Sequence, residues 1–251
     1  MAYFNYNGKN IFYQEMGNGT PLLLLHGNTA SSKMFLEIAP KFAESYRVIL
    51  MDFLGCGQSE RVEQLAEDLW YDQAMQVSTF LIEKEYRNVK IIGSSGGALT
   101  AMNVALEHPE LVDKVIADSF EGVEANVETT KMLEKGRAFS KQNQGARMFY
   151  EMMNGPDWEQ VVDADTKAVI LHAAHIGKFF HRPISELKTD ILFTGSSEDE
   201  MFPKGHYQVL FGALTKEIIN AKEHIFEHGN HPAMLSNQKE FIELSMNFFS
   251  L

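Results

Sequence analysis

The sequence predicts an α/β protein built on a doubly wound, mostly parallel sheet of eight strands. Three observations predict it. The runs Leu22–Leu25 and Val48–Met51 have no polar side, as strands buried on both faces of a parallel sheet require. Such runs alternate with helix-like stretches, the rhythm of helices covering both faces. Each run also ends in a polar, glycine-bearing cluster, and open parallel sheets bind ligands beyond the carboxyl ends of their strands.

The elements follow in order. Tyr3, Phe4 and Tyr6, then Ile11, Phe12 and Tyr13, flank Asn7-Gly8-Lys9 and predict an antiparallel hairpin. Gly17-Asn18-Gly19-Thr20-Pro21 is a turn into the tetraleucine strand, which ends in His26-Gly27-Asn28-Thr29. A helix is expected from about Ser31 to Glu44. The next strand, Val48–Met51, ends in the loop Asp52–Ser59. A long helix over about 63–86 carries Trp70, Ala74, Val77 and Leu81 at spacings of one face. Val89–Ile92 is a strand and Ala98–His108 a helix, stopped at Pro109. Val112–Ala117 is a strand. From about 119 to 187 the rhythm breaks into helix-like sequence rich in Met and aromatics. It resumes with Asp190–Thr194, a helix after Pro203, a last strand over 217–226 and a closing helix over about 234–250. Residues 1–118 and 188–251 thus read as one core, and 119–187 as a helical insertion.

A chain of 251 residues, 45% hydrophobic, can bury a core that needs no metal or disulfide. The single cysteine, Cys56, forbids an intrachain disulfide and points to a reducing, cytoplasmic setting. The first residues lack a basic segment followed by an apolar one, so no signal peptide is expected. No apolar run approaches the ~18 residues of a membrane span. The formal net charge of −12 argues against a nucleic-acid partner. A small-molecule substrate is the expected partner, bound by a monomer or homodimer.

Between the strand Val89–Ile92 and its helix lies Gly93-Ser94-Ser95-Gly96-Gly97. A turn this tight strains the backbone of its central residue and needs small neighbours. Ser95 would stand clear of the backbone at the positive end of a helix. Strand, G-x-S-x-G and helix is the context of a nucleophile elbow. The other reading is a glycine-rich phosphate cradle, but no Lys follows the glycines and the G-x-G-x-x-G spacing is absent.

Taken with Leu25-His26-Gly27-Asn28, Asp52-x-x-Gly55-x-Gly57-x-Ser59, the Gly195, Asp199, Pro203 loop and Gly229-x-His231-Pro232, this stretch resembles the α/β-hydrolase fold superfamily over essentially the whole chain. The resemblance implies a Ser, acid, His triad in that chain order. Ser95 would be the nucleophile and needs a base. His231, on a glycine-bearing turn after the last strand, is the favoured base over His228. The acid is Asp199 or Glu198: counting from Gly195 favours Glu198, and counting from Pro203 favours Asp199. Asp199 is preferred because the shorter side chain is more rigid. Asp118, at the end of the preceding strand, is a third option, with a solvated strand-end carboxylate as its plainer reading. The N–H groups of Gly96 and Asn28 are the expected oxyanion donors. His26 is expected to buttress its loop, the Asp52–Ser59 loop to be structural, and Cys56 to be a small buried residue.

No metal or other cofactor is expected. His172 and His175 have a helical metal-like spacing but no evident third ligand. His224, His228 and His231 mimic ligand spacing, yet Gly229 breaks any common face. Glu198-Asp199-Glu200 is too short an acidic run to imply calcium.

The insertion is expected to lie over the triad as a cap. Of Phe120, Met132, Leu133, Phe139, Met148, Phe149, Met152, Met153, Trp158, Phe179 and Phe180, about two thirds should pack internally. The rest should face an adaptable apolar pocket that takes a substrate group without charge on the part held by the cap, and Gly136 and Gly145 would offer flexibility. The expected activity is therefore hydrolysis of carboxylic esters of small to medium apolar acyl or alcohol groups through an acyl-enzyme. The alternatives are the same triad acting on the C–C bond of a β-diketone, a lactone or a thioester, elimination without an acyl-enzyme, and a non-enzymatic ligand receptor.

Overall fold

Leu22, Leu23, Leu24 and Leu25 are all fully buried, and the sheet is arranged around them. The computed structural model describes residues 2–250. Strands β1 (Ala2–Tyr6) and β2 (Lys9–Met16) form the expected antiparallel hairpin. Its turn, Asn7-Gly8, has φ of 51° and 82°, which the tight primed turns of hairpins demand. Then come β3 (Pro21–Leu25), a short 3-10 turn at Ser32–Phe35, α1 (Ala39–Phe42), β4 (Arg47–Met51), α2 (Leu69–Glu83), β5 (Val89–Ser94), α3 (Gly96–Glu107) and β6 (Val112–Asp118). Helices α4 (Val127–Ser140), α5 (Gln144–Asn154) and α6 (Trp158–His175) follow, and then β7 (Asp190–Ser196), α7 (His206–Glu217), β8 (Ala221–Phe226), α8 (Ala233–Ser236) and α9 (Gln238–Ser250).

The eight strands lie in the order β1-β2-β4-β3-β5-β6-β7-β8. From β4 to β8 all neighbours are parallel; β1 and β2 add an antiparallel edge. The chain leaves β3 for β4 on one side and returns to β5 on the other. That reversal opens a crevice beyond the carboxyl ends of β3 and β5, where ligands bind in such sheets. His26–Asn28 leave β3 there, and Ser95 leaves β5 there.

Side chains alternate between faces along each strand. Leu23, Leu25, Ile49, Met51, Ile91 and Val115 point to one core, shared with α2, α3 and α7. Leu22, Leu24, Val48, Leu50, Ile92 and Ile116 point to the other, shared with α1 and α9. Burying both faces explains why these strands carry no polar side; each fully buried leucine is worth roughly 2 kcal/mol.

Three expected helices are shorter or broken. Over 31–44 only the 3-10 turn and α1 form. Pro40 has no N–H to continue a helix from upstream, and the Ser32 N–H donates instead to Asp52 Oδ1 at 2.7 Å. Residues 63–68 stay out of α2, because Leu65 is drawn down as a buried side chain against Gly55, where a Cβ would meet it at 2.8 Å. The closing helix breaks at Asn237, whose Nδ2 donates to the His228 carbonyl at 2.9 Å.

Between β6 and β7 the chain is helical, with one isolated bridge, Glu124 to Lys178. Asn126 caps α4, accepting from the N–H groups of Glu128 and Thr129, and Asn143 caps α5, accepting from Ala146. Gly136 and Gly145 lie inside these helices, not at bends. Fewer of the apolar side chains pack than expected: Phe120, Met153, Trp158, Phe179 and Phe180 are buried, whereas Met132, Phe139, Met148, Phe149 and Met152 are exposed. Met132 and Phe139 on α4 and Met148, Phe149 and Met152 on α5 thus give both helices an apolar outer face exposed among the described residues.

Candidate active site

Ser95 sits at φ 55°, ψ −120°, a strained conformation for a residue with a side chain. Close approach on every side enforces it. A Cβ on Gly93 would lie 2.2 Å from the Gly97 carbonyl oxygen, and one on Gly97 would lie 2.2 Å from the Leu25 carbonyl oxygen. The Ser95 N–H is anchored to the Asp118 carbonyl at 2.7 Å. Ser95 thus projects into the crevice at the N-terminus of α3.

His231 follows β8 on a turn that needs Gly229 at φ 108°. Its Nδ1 lies 2.8 Å from Asp199 Oδ2. The same carboxylate oxygen accepts from the Tyr207 hydroxyl at 2.6 Å, and Oδ1 accepts from the Met201 N–H at 2.9 Å. Burial alone would raise the Asp199 carboxyl; His231, Tyr207 and Met201 outweigh it and hold the group below its ordinary range. An ionised Asp199 fixes the proton on Nδ1 and leaves Nε2 as the basic nitrogen. Among the described residues no hydrogen bond joins Ser95 to His231, a contact that commonly tightens only when substrate binds.

The acidic run is a fastener for the histidine loop. Glu198 is on the surface with His228 (3.2 Å) and the Gly229 N–H (3.4 Å), Asp199 takes His231, and Glu200 accepts the His231 N–H at 2.9 Å. His224 faces a different carboxylate, Glu240, at 3.4 Å. The geometry therefore brings Asp199, not Glu198, to His231, and leaves His228 78% exposed on the outside.

Asp118 is not the solvated strand-end carboxylate expected for it. It is fully buried, accepting from Thr194 Oγ1 at 2.7 Å and from the Met234 N–H at 3.1 Å. β6 is an interior strand whose end is roofed by α8, so water has no access. Burial pushes its carboxyl up to about 6, against the pull of those donors. A raised carboxyl favours the folded state most below its unfolded value, near 4, and that contribution is lost as pH climbs through 6. The stability of the wild type relative to Asp118→Asn should therefore fall by on the order of 3 kcal/mol between pH 4 and pH 7. Denaturant unfolding of both proteins across that range would check it, and parallel curves would refute it. Asp199 has the opposite sign: its stabilisation is present above its unfolded value and fades as pH drops through its depressed one.

A Cβ on Gly27, the residue before Asn28, would lie 3.0 Å from Ser95 Cβ, and among the described residues neither the Asn28 nor the Gly96 N–H donates to another group. A Cβ on Gly96 would lie 2.1 Å from Asn28 Oδ1, which shows how tightly the two loops meet. His26 is buried beneath them. Its Nδ1 lies 2.8 Å from the Gly27 carbonyl, and its Nε2 accepts from the Phe53 N–H at 3.1 Å. Desolvation lowers its pKa, so it bridges the β3 and β4 loops as a neutral ring. The Asp52–Ser59 loop closes on itself: Asp52 accepts from Ser32 and Gln58 N–H groups, both at 2.7 Å, and Gly57 leaves room for that carboxylate. Cys56 is buried there, and burial pushes its thiol well up. His172 is enclosed by Trp70 and Phe179, and His175 lies 3.0 Å from Glu67. No helix among the described residues is long and apolar enough to cross a membrane, and none of their His, Cys, Asp and Glu side chains form a group suited to a metal ion.

Sequence reasoning missed several residues. Tyr207 packs beneath Gly195 and orients Asp199. Asp165, only 1% exposed on α6, lies 2.6 Å from Arg137 Nη1 and accepts from Asn28 Nδ2 at 2.8 Å. Asn28 Oδ1 in turn accepts from Trp70 Nε1 at 3.3 Å. The inner side of the insertion thus carries a buried ion pair as well as apolar side chains. Its signal was present: Asp165 interrupts the stripe Val161, Val162, Ala168, Val169, His172 at helical spacing.

Fold and elbow together define the class: this is an α/β-hydrolase-fold protein. The sequence profile of the alpha/beta hydrolase fold matches residues 20–140. It is 26% identical to 2-hydroxy-6-oxo-6-phenylhexa-2,4-dienoate hydrolase of Comamonas testosteroni, over 95% of this chain and 90% of that one. It is 36% identical to 2-hydroxymuconate semialdehyde hydrolase of Pseudomonas sp. strain CF600, over 43% of this chain and 39% of that one. Among solved structures, an esterase from Exiguobacterium antarcticum superposes with a TM-score of 0.77 at 19% identity, covering 100% of this chain and 99% of that one.

Proposed function

We propose that this protein is a serine hydrolase in which Ser95 attacks a carbonyl, His231 shuttles the proton, Asp199 orients His231, and the Asn28 and Gly96 N–H groups hold the oxyanion. The observation that carries the reading is the Asp199–His231 pair, 2.8 Å apart, on loops at the same end of the sheet as the strained Ser95 elbow. His231 Nε2 removes the hydroxyl proton as Oγ bonds to carbon. The tetrahedral adduct collapses, the proton passes to the departing alcohol, and an acyl-enzyme remains. Water, deprotonated by the same nitrogen, releases the acid and restores Ser95. The preferred bond is a carboxylic ester of a small to medium apolar group, held beneath α4–α6 as a cap.

A second reading keeps every residue and changes the bond. The name of one relative supports it, since it describes a hydrolase of a 2-hydroxy-6-oxo-dienoate, a compound that water can split only at a C–C bond beside its ketone. There the leaving group is a carbanion equivalent, which must receive its proton before or as it departs. A panel of p-nitrophenyl butyrate, a thioester, a lactone, a β-diketone and 2-hydroxy-6-oxo-6-phenylhexa-2,4-dienoate separates the two. The ester reading expects the highest kcat/KM on p-nitrophenyl butyrate. A dienoate preferred by tenfold or more would replace it with the second.

A further inference from the structure

The segment Gly27–Lys33 carries one of the two proposed oxyanion donors, yet it does little to support itself. Thr29 stands at φ 60°, a left-handed conformation that a β-branched residue rarely adopts. Its local backbone bond, Ala30 N–H to the Gly27 carbonyl, is long at 3.4 Å. Besides Asp52 on the Ser32 N–H and Trp70 on Asn28, its tethers come from residues 152–165, more than a hundred positions away in sequence. Asp165 Oδ2 accepts from Asn28 Nδ2 at 2.8 Å. Asn154 donates through Nδ2 to the Thr29 carbonyl at 2.8 Å, and its Oδ1 accepts from the Gly57 N–H at 2.9 Å. The Met153 carbonyl accepts from Ser31 Oγ, and the Met152 carbonyl from Lys33 Nζ, both at 2.8 Å.

We propose that Asp165 is a positioning residue: acting through the Asn28 side chain, it sets the oxyanion loop, so that the seating of α6 governs how well the Asn28 N–H meets a developing negative charge. The inference rests on the hydrolase reading above. Its geometry is a chain of fixed contacts. Arg137 is buried on α4, lies 2.6 Å from Asp165 Oδ1 and donates to Thr166 Oγ1 at 3.0 Å, which holds the carboxylate in place. Asn28 is pinned from the opposite side by Trp70. A carboxylate this deeply buried is costly unless paired; Oδ2 accepts from the loop, and Oδ1 faces the guanidinium at ion-pair distance without an aligned hydrogen bond. A shift of α6 would remove one of the two side-chain anchors of Asn28 and leave Trp70 as the other. The placement of the Asn28 N–H and the seating of α6 are thereby coupled.

The experiment compares wild type, Asp165→Ala, Asp165→Asn and Asn154→Ala. It uses steady-state hydrolysis of the fastest panel substrate and inhibition by a trifluoromethyl ketone, whose hemiketal places an oxyanion where the reaction does. Asp165→Ala should lower kcat by about 10- to 100-fold, because a misplacement near 1 Å costs that much, with KM within about threefold. The ketone should weaken by the same factor as kcat. Asp165→Asn should recover part of the loss, since its amide oxygen can still accept from Asn28 while its NH2 then faces Arg137. Asn154→Ala should change kcat and ketone affinity in the same direction, and it carries the test alone if Asp165→Ala fails to fold. Folded variants with wild-type kcat and ketone affinity would overturn the inference. So would a raised KM with kcat unchanged, which would make Asp165 a substrate contact. Wild-type protein that neither turns over any panel substrate nor binds the ketone would overturn the hydrolase reading first, before any variant is compared.

Discussion

Ser95→Ala is expected to lower kcat by about 10⁶-fold, to a residual rate that owes nothing to covalent chemistry. The loss follows from geometry at one atom. The elbow strains Ser95 to φ 55° so that its hydroxyl alone enters the crevice, while Ser94, its neighbour, is fully buried. No other hydroxyl at the carboxyl ends of β3 and β5 is placed to replace it: Ser31 donates to the Met153 carbonyl, and Thr29 donates to the Asn28 carbonyl at 2.6 Å. The substitution removes one oxygen from a side chain that forms no structural hydrogen bond, so stability should change little. Steady-state kinetics with a pre-steady-state burst on an activated ester would check both the size of the loss and the disappearance of the burst. A variant within tenfold of wild type would mean that the hydroxyl is not the nucleophile.

Asp199→Asn should lower kcat by about 10⁴-fold. The amide can present its N–H to His231 Nδ1, which forces the wrong tautomer and leaves a donor where the base should be. It also disrupts the Tyr207 hydroxyl, which now donates to the same Asp199 oxygen at 2.6 Å. Glu198→Gln is the control. Glu198 is on the surface beside His228, and its loss should cost less than about tenfold, mostly by loosening the turn at Gly229. Reversed magnitudes would assign the acid to Glu198. Equal, small losses would point to the buried Asp118, which lies near enough to His231 to feel its charge.

What the sequence disclosed depended on how local the cause was. The parallel core was legible because Leu22–Leu25 and Val48–Met51 announce double burial by themselves. The elbow was legible because its constraints, Gly93 against Gly97 and Gly97 against Leu25, sit within or beside one turn. The choice between Asp199 and Glu198 was not settled by counting. Three successive carboxylates reach the 228–231 loop, two of them at His231, and the pairing of β7 with β8 decides which meets the imidazole. The helix expected over 31–44 failed for a distant reason as well, the claim of Asp52 on the Ser32 N–H.

The polar ties across the crevice were the least legible part. Asn154 and Asp165 act on residues 29 and 28, so nothing near either partner in sequence predicts the contact. Only a charged residue on an apolar stripe hinted at it. Periodicity likewise found the insertion's helices but not which faces they bury, since Met132, Phe139 and Met148 turn outward while Met153 turns in.

The most direct test of the central claim is to treat the protein with a fluorophosphonate and locate the adduct by peptide mass. The account predicts one equivalent of phosphonate on Ser95, formed rapidly in wild type, far more slowly when His231 is replaced by Ala, and not at all in Ser95→Ala. Unmodified Ser95 in folded wild-type protein, or label on another residue that persists in Ser95→Ala, would contradict it.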